Sequence, residues 1–196
     1  MILLIILYNK IIMSLIRLFL PESISNPTWY LIGRTINNIK YYSESESFDA
    51  DEVYPNIYIG DLSSSMSTNT LKYKNIKNIL TVMNGGVENY PDDLNYKIIH
   101  INDDWWVNIE EHFDEGVKFI KDTLDRNEKV LVHCKRGVSR SVTMVLAYLI
   151  SEKNMSVTEA MLRVKSKRQI ALPNSGFLKQ LMHYKKTIIK TKINKK

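Results

Sequence analysis

The sequence predicts an α/β fold: a single domain with a central sheet of four to five mostly parallel strands, flanked by helices. Three observations predict it. From about Val53 onward, short apolar runs alternate with longer stretches of helical periodicity. The 196 residues, 44% hydrophobic and 24% charged, suit one ordinary globular core with residues left over for tails. The glycine-bearing segment His133–Ser141 joins an apolar run to an apolar helical pattern, a strand-loop-helix unit.

Residues 1–20 are strongly apolar, but Asn9, Lys10, Ser14 and Arg17 interrupt them, whereas a spanning helix needs about 20 largely apolar residues in a row. Lys10, Ser14 and Arg17 fall at i, i+4 and i+7, one polar stripe on an otherwise apolar helix. The expectation is a helix packed on the domain; membrane contact, or a non-native start upstream of Met13, are the alternatives. No basic region precedes the apolar stretch, which argues against a secretory signal. Ser43–Glu52 is acidic with little to bury and reads as a linker or surface loop. The expected organisation is an N-terminal extension over 1–52, a globular domain over 53–184 and a basic, solvated tail over 185–196.

Within the domain, Asn56–Gly60, Ile76–Met83, Tyr96–Ile101 and Lys129–His133 are the expected strands. Ile109, Phe113, Val117, Ile120 and Leu124 recur at helical spacing, with Asn108 and Glu111 as a capping-box variant at the start. Val142–Ile150 is apolar nearly all round and predicts a buried helix. Ser156 and Glu159 form a capping box ahead of Ala160, Met161, Leu162 and Val164, and Phe177, Leu178, Leu181 and Met182 mark a last amphipathic helix.

The net charge of +6 lies largely in the lysine-rich end and points to no nucleic acid. Arg163, Lys165, Lys167 and Arg168 read as a solvated basic face. The four histidines are scattered without metal-ligand spacing, and no metal or cofactor is expected. A single cysteine excludes a disulfide framework, so Cys134 is structural, reactive or incidental.

Its surroundings favour reactive. A loop leading from a buried strand into a helix N-terminus turns successive N–H groups toward one point, and the helix dipole adds positive potential, which makes an anion site. There a thiol is held largely as thiolate, a nucleophile near neutral pH. Arg140, six residues on, has the planar fork to grip two phosphate oxygens. Gly137 allows the tight turn. Lys135, Arg136, Gly137, Val138, Ser139 and Arg140 are the expected substrate-binding residues, and Ser141 is placed to donate to the sulfur and stabilise it as a leaving group. His133 is expected to order the loop rather than move protons. A cysteine meets an arginine at a given offset by accident about one time in twenty, but the strand before, the glycine within and the helix after make accident a poor account. Expelling an alkoxide or phenoxide also calls for a carboxylic acid. Asp103 and Asp104, after the strand ending at Ile101, are the candidates.

His-Cys-Lys-Arg-Gly-Val-Ser-Arg-Ser (133–141) closely resembles the His-Cys-x-x-Gly-x-x-Arg-Ser/Thr signature of the protein tyrosine phosphatase superfamily, and its closing Ser-Arg-Ser is most similar to the dual-specificity branch. Asn56-Ile57-Tyr58-Ile59-Gly60 and Pro173-Asn174-Ser175-Gly176-Phe177 resemble that branch's opening strand and closing segment. The resemblance implies a phosphatase-like fold and a phosphocysteine mechanism with Cys134 as nucleophile. Its register before the helix selects Asp103 as the acid over Asp104. Trp105 and Trp106 are expected to pack the acid's loop, with lining of the substrate entrance as the alternative. Phosphotyrosine-specific members of the superfamily are larger and carry a separate loop that deepens the pocket; a domain of about 130 residues has little room for one, so the resemblance implies a shallow pocket, open to phosphoserine and phosphothreonine as well as phosphotyrosine in protein substrates. Lysine after the cysteine is shared with lipid-directed relatives, so a phosphoinositide phosphatase is the alternative, although Val138 stands where several of those carry a basic residue. An idle phosphoprotein-binding module is the other alternative. A catalytic thiol without an internal partner implies a reducing, intracellular compartment, the cytoplasm first; the sequence carries no signal for oligomeric state.

Overall fold

The computed structural model describes residues 47–193. The expectations for the apolar residues 1–20 and for the first part of the acidic stretch lie outside the described residues. Among the described residues, five strands form one sheet in the order β1-β2-β5-β3-β4: β1 (Ala50–Tyr54), β2 (Ile57–Gly60), β3 (Ile76–Val82), β4 (Asn95–Ile99) and β5 (Lys129–His133). The pairings β2–β5, β5–β3 and β3–β4 are parallel; only β1–β2 is antiparallel. The expected mostly parallel α/β sheet is therefore present.

β1 lies partly within the stretch read as an acidic linker. Asn56, at φ 65°, turns the chain between β1 and β2, a conformation asparagine tolerates well. The turn lets Val53 bury at 1% exposure while Asp51 and Glu52 stay on the outside. Acidic composition suggested a loop; pairing with β2 overrides it, as an edge strand readily does.

Side chains alternate across the sheet and so divide between two cores. Ile57, Ile59, Leu80, Val82, Val130 and Val132 enter the larger, which is roofed by α3 (Phe113–Asp125), α4 (Arg140–Ser151), α5 (Val157–Lys165) and α6 (Ser175–Ile193). Tyr58, Ile79 and Leu131 face the other side with Leu71 of α2 (Thr68–Lys74), which follows α1 (Leu62–Met66). Neither α1 nor α2 was anticipated, since both are too short to show a periodicity. Helix α4 is buried from Ser141 to Ile150, as its apolar sequence requires.

Two helix boundaries differ from expectation. Helix α3 starts at Phe113 after a 3₁₀ turn at Glu110–His112. The backbone N–H groups of Ile109 and Glu110 are capped by Gln180 Oε1 of α6, at 2.8 and 2.9 Å, in place of an Asn108 cap. Helix α6 continues to Ile193, through most of the stretch expected to be a solvated tail. Its Tyr184 packs edge-on against Phe113 at 5.0 Å, so packing carries the helix past the last periodic residues. The capping box of α5 is present with both bonds, Glu159 N–H to Ser156 Oγ and Ser156 N–H to Glu159 Oε2. No helix among the described residues is long and apolar enough to cross a membrane.

Candidate active site

Parallel strands β2, β5 and β3 end side by side, with His133 opposite both Gly60 and Thr81, and the chain leaves β5 toward α4 through residues 134–139. The carboxyl edge of such a sheet is where ligands bind in α/β folds. The loop's carbonyls are held from outside. Lys135 O accepts from Leu62 N (3.5 Å), Gly137 O from Arg168 Nε (2.8 Å) and Val138 O from Leu172 N (2.8 Å). Across a trans peptide the C=O and the next N–H point opposite ways. The N–H groups of Arg136, Val138 and Ser139 are thereby turned to the inside of the loop, a cradle for an anion. Gly137 sits at φ 64°, and a Cβ there would lie 2.6 Å from Gly60 O, so no larger residue fits.

Cys134 lies at the bottom, 1% exposed. Its Sγ accepts from Gly137 N–H and from Ser141 Oγ, each at 3.3 Å. Burial pushes the thiol up, but the Ser141 hydroxyl, the N–H groups of Ser141 and Arg136 and the charge of Arg140 outweigh it and hold the thiol below its ordinary value. His133, fully buried, is pushed down to about 4 by burial and is neutral at physiological pH. Its Nε2 lies 2.8 Å from Thr81 Oγ1, which ties the end of β5 to β3.

Asp103 faces the loop from the segment after β4. Its Oδ1 accepts from Ser139 Oγ (2.6 Å) and Asn174 Nδ2 (3.0 Å), while Oδ2 stands 3.4 Å from Arg140 Nε, an ion-pair distance. Arg140 Nη1 donates to Ile101 O at 3.1 Å. Cys134, Gly137, Val138, Ser139, Arg140, Ser141 and Asp103 thus converge. Lys135 and Arg136 contribute backbone to the loop while their side chains are exposed. Asp104 closes a turn through its carbonyl, which accepts from Val107 N at 3.1 Å.

Trp105 and Trp106 differ from the packing expectation. They meet edge to face at 5.5 Å but remain 64% and 67% exposed, so their rings do not pack the loop that holds Asp103. What holds their loop is α6. Asn174 caps that helix through Phe177 N–H (3.0 Å) and reaches Asp103 with the same side chain; Gln180 Nε2 donates to Val107 O at 2.8 Å. Gly176 packs so close that a Cβ would lie 1.7 Å from Trp105 O. Asn174 just before the last helix and Gln180 within it were the available signal, but their targets are about 70 residues upstream. Arg168, grouped by sequence with a solvated basic face, is 1% exposed and bound to Asp49, Asp51 and Gly137. Arg163, Lys165 and Lys167 are exposed as expected.

The chemistry this arrangement can perform is anion capture next to a thiolate, with a carboxyl group across the cleft. Comparison with known proteins points the same way. Residues 57–187 match the family described as the dual specificity phosphatase catalytic domain. Dual specificity protein phosphatase 1 of Arabidopsis thaliana is 41% identical over 132 residues, covering 67% of this chain and 67% of that one. Dual specificity protein phosphatase 1B of the same plant is 39% identical, covering 71% of this chain and 84% of the relative. Among solved structures, the human tyrosine phosphatase-like serine/threonine/tyrosine-interacting protein superposes with a TM-score of 0.70 at 27% identity, over 73% of this chain and 99% of its own. The fold, the loop from β5 to α4 and the extent of these matches agree: the chain belongs to the dual specificity phosphatase family.

Proposed function

We propose that the protein hydrolyses phosphomonoesters through a phosphocysteine intermediate, acting on phosphotyrosine and on phosphoserine or phosphothreonine in proteins. The observation that carries this reading is the Cys134 sulfur at the base of an N–H-lined loop: burial pushes its thiol up, but the Ser141 hydroxyl, the N–H groups of Ser141 and Arg136 and the charge of Arg140 hold it below its ordinary value, and Gly137 N–H also donates to it. The Cys134 thiolate attacks phosphorus, and the P–O bond to the substrate breaks as Asp103 gives its proton to the departing oxygen. Water then attacks the phosphocysteine, Asp103 takes a proton from it, and the S–P bond breaks to return thiolate and release inorganic phosphate. Ser141 Oγ–H, 3.3 Å from Sγ, stabilises that thiolate as it leaves. Arg140 and the N–H groups of Arg136, Val138 and Ser139 bind the equatorial phosphoryl oxygens throughout.

The names of the relatives support protein substrates. The exposed side chains of Lys135 and Arg136 keep an acidic flank, or an inositol headgroup, within reach of the cleft. Hydrolysis of a small aryl phosphate, lost in Cys134→Ser, tests the chemistry. Absence of turnover in a folded, reduced sample overturns it. Phosphorylated species retained from lysate by Cys134→Ser or Asp103→Ala then test the substrate class, and retention of phosphoinositides alone overturns the protein-substrate reading.

A further inference from the structure

We propose that Arg168 is a positioning residue for the phosphate loop, anchored by Asp49 and Asp51, so that the shape of the cradle depends on carboxylates more than a hundred positions upstream of Arg168.

Arg168 is the largest of the fully buried side chains. A buried guanidinium persists only when its donors are satisfied. Here Nη1 donates to Asp49 Oδ1 (3.0 Å) and Asp51 Oδ2 (2.7 Å), Nη2 to Asp49 Oδ2 (3.2 Å), and Nε to Gly137 O (2.8 Å). The carboxylates alone would neutralise the charge. The fourth bond does something different, because its acceptor is the backbone of the catalytic loop.

Gly137 is the loop's left-handed residue, and the peptide that follows it is the one Arg168 grips. Holding that carbonyl outward keeps Val138 N–H inward, and keeps Gly137 oriented so that its own N–H reaches Cys134 Sγ. Asp49 is itself fixed, since its carbonyl accepts from Asp61 N at 3.2 Å, just past β2. The path runs from β1 through the guanidinium to one peptide of the cradle, with hydrogen bonds at each step. The charged group acting on the thiol is Arg140, with Asp103 3.4 Å from its Nε, while the adjacent His133 is neutral and turned to Thr81; Arg168 acts on the thiol through Gly137.

Lysine at 168 has one nitrogen where arginine divides four bonds among three, so it cannot serve Asp49, Asp51 and Gly137 together. Arg168→Lys is therefore expected to weaken binding of inorganic phosphate, measured by calorimetry, about tenfold, the worth of one charge-assisted hydrogen bond. The same variant should move the midpoint of Cys134 alkylation by iodoacetamide to higher pH. Asp49→Asn combined with Asp51→Asn should change both readouts in the same direction by about threefold or more in affinity, with the far-ultraviolet circular dichroism of the folded chain retained. Wild-type phosphate affinity and an unmoved alkylation midpoint in folded Arg168→Lys overturn the proposal. If that variant does not fold, the double asparagine variant decides in the same terms. A shift in Arg168→Lys with none in the double variant overturns the anchoring by β1. The inference rests on Cys134 as the nucleophile, but neither readout requires turnover, so failure of the catalytic reading would be seen separately.

Discussion

Gly176→Ala offers a way to disturb Asp103, the proposed proton donor, without touching Cys134, the proposed nucleophile. A Cβ at this position would lie 1.7 Å from Trp105 O, and contacts of a real Cβ below 3.0 Å are essentially never seen. Helix α6 and the Asp103 loop must therefore separate by at least about 1.3 Å, in a region where close packing leaves little room for relaxation. Asp103 is two residues before Trp105, and its partner Asn174 is two residues before Gly176, so the strain falls on both ends of the Asn174–Asp103 bond. A misplacement of about 1 Å can cost about a hundredfold in rate, or about 2.7 kcal/mol of transition-state stabilisation. The assay compares kcat for phenyl phosphate, whose leaving group needs a proton, with kcat for an aryl phosphate whose phenol is already acidic. The expected result is a loss near a hundredfold for the first, a much smaller loss for the second, and an unaltered pH profile of Cys134 alkylation. Equal losses for both esters, or none, would refute the placement of Asp103 as the donor.

Ser141→Ala removes a donor to Cys134 Sγ, so the thiol should ionise at higher pH, and the phosphoenzyme should build up as a burst because its thiolate leaves less readily; stopped-flow kinetics with an aryl phosphate reads both effects. Asn174→Ala should slow hydrolysis of poor leaving groups about tenfold in the parent but have almost no further effect in Asp103→Asn, since Asn174 acts through that carboxylate. Additive losses in that double-mutant cycle would mean a separate role. Folding should weaken in acid through His133. Burial lowers its folded value from 6.5 to about 4, so its contribution is complete above pH 6.5 and is lost as pH falls toward 4. The loss is of the order of 3 kcal/mol, or roughly 10 °C in melting temperature; thermal melts of His133→Gln across that range should be flatter.

The nucleophile loop was legible because its signals are local. A buried strand, a cysteine, a glycine, an arginine six positions later and an apolar helix all lie within about twenty residues, and each reports on its neighbour. Asp103 could be read only as one of two carboxyls after a strand, with the family register choosing between them; its position against Arg140 and Ser139 came from the structure. What holds these groups was not legible. Arg168 and its carboxylates are separated by 117 and 119 residues, and nothing in an acidic run or a basic run says that they pair. The basic run was also averaged over four residues, of which three are solvated and one is buried. The tryptophans misled for a similar reason. Tandem aromatics usually pack, but the inner side of their loop was already occupied by the first turn of α6, where Gly176 admits the backbone and leaves no room for rings.

The strand order has a consequence for how the protein would lose activity. Cys134 follows β5, which is hydrogen-bonded on both sides, whereas Asp103 follows β4, at the sheet's margin with one neighbour. Local opening begins where pairing is least complete. On warming, the donor segment should therefore exchange its amide protons earlier and fall out of register first, while the strand that carries the thiol is still paired on both sides. Before it unfolds, the molecule would pass through a condition in which it captures phosphate esters and hydrolyses them slowly, a binder made from an enzyme by temperature alone.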